Sequence, residues 1–70
     1  ARGNALQARG FLERYLDGSP PTPGALWLGY RIEQSLGDAT AAAGYAGQLK
    51  DDYPESVETG LLLEQERGRG

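Results

Sequence analysis

"GNALQARGFLERYLDGSP" (Gly3–Pro20) and "GDATAAAGYAGQLKDDYP" (Gly37–Pro54) lie over each other without a gap. Gly3 pairs with Gly37, Ala5 with Ala39, Ala8 with Ala42, Gly10 with Gly44 and Pro20 with Pro54. Conservative pairs fill in around them: Asn4 with Asp38, Phe11 with Tyr45, Asp17 with Asp51. Every pair is offset by 34 positions. A period in that range marks a repeat architecture, in which each unit buries its apolar face against its neighbours. Four unrelated helices would have to reproduce this register, glycine and proline included, by chance.

Within the first stretch, Ala5, Ala8, Leu12, Tyr15 and Leu16 recur every three or four residues, as one helix face does. "DGSPPTP" ends that helix, with Gly18 free to take positive φ and the prolines removing backbone donors. Thr22 then reads as an N-cap with Pro23 at the first helical position. The second helix carries the stripe Ala25, Leu28, Gly29, Ile32 and Leu36, stops at Gly37, and hands over to Asp38 as the next cap. Ala42, Ala46, Leu49 and Tyr53 form the face of the third helix, which Pro54 terminates. "ESVETGLLLEQER" reads as a fourth helix capped by Ser56, burying Val57, Leu61 and one of Leu62 or Leu63, with "GRG" frayed. The expectation is an all-α stack with helices at about 4–17, 23–36, 39–52 and 56–66, and no strand.

Small residues stand where helices must cross closely. Ala8 and Ala42 hold that place on the first and third helices, and Gly29 on the facing second helix. Bulk there would force the axes beyond roughly 8–10 Å. Phe11 and Tyr45, at one repeat position, read as packing between units.

Composition narrows the function. The chain has 70 residues, no cysteine and no histidine, so no disulfide or structural zinc braces it and the usual bases, nucleophiles and soft ligands are missing. The carboxylates Asp51, Asp52 and Glu55 lack an acid–base partner and read as a solvated turn. No catalysis, cofactor or metal is expected. A net charge of -3 with both signs interspersed argues against nucleic acid, and no apolar run suffices to span a bilayer. The chain starts inside a helix-like pattern without an initiator methionine, and reads as a piece of a longer protein.

The 34-residue period is that of the tetratricopeptide repeat, W-x2-L-G-x2-Y, then A-x3-F, then P. Leu28-Gly29 supplies the L-G pair, Ala42 the alanine and Pro54 the closing proline; Ala8 and Pro20 supply the same marks one repeat earlier. Ala25, Ile32 and Ala46 stand in place of the tryptophan, tyrosine and phenylalanine. On this reading residues 3–20 are the second helix of one repeat, 21–54 a full repeat and 55–67 a capping helix. The stretches "LWLGYRIE", "AAGYAGQLK" and "YPES" further resemble the last full repeat of the type IV pilus biogenesis and stability lipoproteins, pilotins of the pilus secretin. That resemblance implies a periplasmic, protein-binding protein, lipid-anchored to the outer membrane, that supports secretin localisation and assembly. The secretin subunit is then the expected partner, with no direct membrane contact by these residues. A generic tetratricopeptide scaffold or co-chaperone binding another extended peptide is the alternative.

In such arrays the first helix of each repeat lines the concave groove. Leu26, Trp27, Tyr30, Arg31 and Gln34 fall outside the filled stripe of the second helix, and are the candidates for partner contact. Trp, Tyr and Arg are the types enriched at binding hot spots. The competing reading packs Trp27 or Tyr30 against a neighbouring helix. An apolar face left at the truncated end could also drive self-association.

Overall fold

The computed structural model describes residues 2–69, and within them the chain forms four α-helices and no strand: α1 (Arg2–Gly18), α2 (Pro23–Leu36), α3 (Ala39–Asp52) and α4 (Val57–Arg69). Local chemistry sets the boundaries. Thr22 is extended at the head of α2, and its Oγ1 accepts from the Ala25 N–H at 3.1 Å, with Pro23 following. Gly37 closes α2 at φ 77°, its N–H donating to the Gln34 carbonyl and the Asp38 N–H to that of Glu33. Asp38 caps α3 through Oδ1, which accepts from the Ala41 N–H at 3.0 Å. Ser56 Oγ accepts from the Thr59 N–H at 3.1 Å and opens α4. Gly18 does not take positive φ; it is the last residue of α1, and Gly37 alone among the described glycines is left-handed. The fourth helix runs on through Gly68 to Arg69 instead of fraying at "GRG", whose last residue lies outside the described range.

The second helix is the hub. It packs against α1, α3 and α4; α3 also packs on α4, and the α1 backbone meets α2 alone. Leu26 and Tyr30 of α2, Ala42, Ala46 and Leu49 of α3 and Leu62 of α4 form the buried cluster, flanked by Trp27, Tyr45 and Tyr53. Tyr53 joins it from the C-cap of α3, and its hydroxyl donates to the Pro21 carbonyl at 2.6 Å.

Gly29 fixes the α2–α3 approach. A Cβ there would fall 2.6 Å from the ring of Tyr45, closer than real contacts allow. Glycine therefore lets an aromatic lie flush on the helix. Gly10 and Gly44, the matched pair in the repeat, have nothing within 4 Å of such a Cβ and perform no equivalent task.

Several helix faces differ from the sequence expectation. On α2 the buried residues are Leu26, Gly29, Tyr30, Ile32 and Glu33, while Leu28 is 47% exposed and Ala25 and Leu36 are half-buried. A helix enclosed on several sides buries a wider arc than a single stripe, and Glu33 enters it because a cation meets it. On α4, Thr59 and Leu62 are buried while Val57 is 76% exposed and Leu61 and Leu63 are also exposed. The Thr59 hydroxyl is the reason: it donates within reach of the Leu49 and Tyr53 carbonyls, 3.1 and 2.6 Å away, turning that face inward. Phe11 is not core; it is 68% exposed, and Tyr15 beside it is exposed too. Ala8 is half-buried where Ala42 is fully buried.

Gly29→Ala should lower stability by about 1–2 kcal/mol, since overpacking costs about 1–3 kcal/mol and the helix-propensity gain returns at most about 1 kcal/mol. Gly44→Ala, with open space around it, should raise stability by about 0.5–1 kcal/mol. Urea denaturation followed by circular dichroism reads both; equal shifts for the two glycines would refute the close-approach argument.

Candidate functional site

The five sequence candidates do not share one surface. Leu26 and Tyr30 are core residues, 1% and 4% exposed, so neither offers its side chain as a free contact. Trp27 is half-buried and stacks on Tyr30, ring centroids 5.5 Å apart and planes 17° from parallel. Gln34 Nε2 donates to the Tyr30 hydroxyl at 2.8 Å, which holds the amide one turn along the same edge. Arg31 is exposed but lies at the α1–α2 edge, among Asn4, Ala5, Leu28 and Ser35. The three-residue spacing of Trp27 and Tyr30 allowed the stack; nothing local placed Arg31 on the other side.

Trp27, Tyr30 and Gln34 line a seam between α2 and α4. One recess is bounded by Trp27, Leu61, Glu64 and Gln65. A second holds Tyr30 and Gln34 opposite Glu66, with Ala42, Ala43 and Ala46 as its floor. Glu66 pairs with Lys50 of α3 at 2.9 Å, an exposed contact worth about 0–1 kcal/mol that orients the rim more than it stabilises it. The seam thus offers an aromatic face, an amide and carboxylates. These groups are able to stack and to hydrogen-bond. Among the described residues no group of three or more carboxylates could hold a metal ion, and no helix is long and apolar enough to cross a membrane.

The strongest polar contact lies behind the seam and was not visible in the sequence, where its partners stand 24 residues apart. Arg9 grips Glu33 with both Nε and Nη2, the first at 3.0 Å, and its Nη2 lies 3.8 Å from Asp38. Two parallel donors on one carboxylate make a charge-assisted fork, and the Glu33 side chain is only 5% exposed. The hydrogen bond to Glu33 raises the Arg9 pKa above its ordinary value. Nearby, burial raises the Tyr45 phenol, with the carboxylates of Glu33 and Glu13 adding to the effect and Arg9 opposing it.

Both observations give tests. The unfolded chain loses a tyrosine proton near pH ~10, while the folded chain holds that of Tyr45 to higher pH. The stability this contributes is present below that pH and is lost as pH rises through the raised value. The thermal midpoint should therefore fall above about pH 10, and fall less steeply in Tyr45→Phe. An unchanged alkaline profile in that variant would refute the assignment. Arg9→Ala should lower the midpoint by stranding a buried carboxylate, and Glu33→Gln in the same chain should recover part of the loss; no recovery would mean the pair is not the cause. No family model, no curated protein and no solved structure matches this chain.

Proposed function

We propose that the chain is a non-catalytic, protein-binding module of tetratricopeptide type whose partner docks along the α2–α4 seam. The observation that carries the reading is the Trp27–Tyr30 stack on the wall of that seam: a half-buried aromatic lying on a buried ring whose hydroxyl accepts from Gln34. Rigid aromatics lose little conformational freedom on binding and are the common anchors of interfaces. Histidine and cysteine, the commonest catalytic base and a strong nucleophile, are absent from the sequence.

The repeat type is supported by the 34-residue offset and by neighbour-only packing, in which α2 contacts α3 and α4, and α3 contacts α4. The ring of Tyr45, one residue before the Ala46 that stands in the phenylalanine's place, lies on the glycine of the Leu28-Gly29 pair. The resemblance of "LWLGYRIE" and "YPES" to pilus biogenesis lipoproteins names the partner and the place. The partner is the pilus secretin subunit, in the periplasm, with the longer protein anchored to the outer membrane by lipid. A tetratricopeptide scaffold for another extended peptide would use the same seam.

The test is a pull-down of purified secretin subunit by this chain, beside Trp27→Leu and Gln65→Ala, with circular dichroism confirming that both variants fold. Loss of a hot-spot aromatic costs about 2 kcal/mol or more, about a 30-fold weakening. Weakening of that size in folded Trp27→Leu supports both seam and partner. Secretin binding indifferent to both substitutions moves the site elsewhere. No secretin binding ends the pilotin assignment.

A further inference from the structure

The outer face of α1 is half of a core. In a hollow that Thr22 and Gly24 also line, the apolar side chains come from Ala8, Phe11, Leu12 and Tyr15 of α1 and from Ala25 and Leu28 of α2. Moved forward by 34 positions, these six become Ala42, Tyr45, Ala46, Leu49, Thr59 and Leu62. Five of the six counterparts are buried, and Tyr45 is packed against them. The difference between the two places is one helix. Leu26 and Tyr30 of α2 fill the lower cluster, and Gly29 receives the Tyr45 ring. Among the described residues none fills the hollow on α1, and Phe11, Tyr15 and Leu28 are exposed.

A helix able to fill it is present at the other end of the molecule. The five buried residues of α2 are Leu26, Gly29, Tyr30, Ile32 and Glu33. Moved forward by 31 positions they become Val57, Gly60, Leu61, Leu63 and Glu64, four of them of the same chemical type in the same order, with aliphatic Leu61 where α2 has the aromatic Tyr30. All five are exposed on α4. Helix period makes these two sets the same face of their helices. Gly60 has nothing within 4 Å of where a Cβ would stand, so it is free to receive a ring as Gly29 does.

We propose that these two faces bind each other between copies of the chain: α4 of one molecule seats on the α1 hollow of the next, with Phe11 lying on Gly60. The contact would pair the two faces as α2 pairs with α3, with α4 shifted three residues, about one helical turn, from the 34-residue register. It is heterologous, joining two different patches, so it propagates head to tail instead of closing as a two-fold dimer. It does not rest on the peptide-binding reading, although Leu61 and Glu64 border both surfaces.

The test is sedimentation of the chain and two variants across a concentration series. Phe11→Glu removes the ring from an exposed position, and Gly60→Leu adds a side chain where there is open space, so both should fold; circular dichroism checks this. The chain itself should form concentration-dependent species larger than a dimer, and each variant alone should remain monomeric. Mixed in equal amounts, the two variants should give a heterodimer and nothing larger, because only the Phe11→Glu copy keeps its α4 face and only the Gly60→Leu copy keeps its α1 hollow. A chain that stays monomeric at millimolar concentration overturns the proposal. So does association that stops at a two-fold dimer, or that survives in either variant alone.

Discussion

The ring of Tyr45 lying on the bare backbone of Gly29 is the contact on which the remaining geometry depends. It sets how closely α3 approaches α2, and therefore whether Leu26 and Tyr30 can reach Ala42, Ala46 and Leu49. With α3 in place, α4 finds a surface made by both helices and inserts Leu62 and Thr59. The seam that carries Trp27 exists only because α4 is held at that distance from α2. A chain this small buries a modest fraction of its surface, so one crossing that drifted outward would loosen every layer beyond it.

Polar contacts complete what the small core begins. Glu33 is inside because Arg9 meets it with a two-pronged grip. Thr59 is inside because the carbonyls of Leu49 and Tyr53 receive its hydroxyl. Tyr53 then ties the end of α3 to the loop before α2 through the Pro21 carbonyl. Among the described residues no buried side-chain nitrogen or oxygen lacks a partner. The Arg9–Glu33 and Tyr53–Pro21 bonds join segments 24 and 32 residues apart, and those of Thr59 cross the short turn between α3 and α4, so they specify the arrangement of the helices as well as supporting it.

What was legible in the sequence follows from this division. Thr22, Pro23, Gly37, Asp38 and Ser56 act on backbone groups within a few residues, so the limits of α2 and α3 could be read directly. Helix faces are decided by neighbours. The stripe through Leu28 was plausible for a helix with one partner, but α2 has three, and Leu26 with Tyr30 occupies the side α3 covers. Phe11 read as packing between units, and the open side of α1 leaves it exposed; Glu33, which the sequence did not single out, is buried against Arg9. Of the site candidates, Trp27 and Gln34 border the α2–α4 seam, whereas the place of Arg31 required knowledge of where α1 packs.

The attachment of α1 has a dynamic consequence. Its backbone meets only α2, and its own apolar residues are in good part open to water. Native proteins open in cooperative units whose cost tracks the contacts each unit must break. The α1 segment can therefore swing away while α2, α3 and α4 keep their shared cluster, so its amides should exchange with solvent sooner than those around Leu49. Arg9 is the brake on that opening, because its guanidinium holds Glu33 and reaches toward the cap of α3. Rigidity along this chain is graded from one end, with a single charged clasp setting the slope.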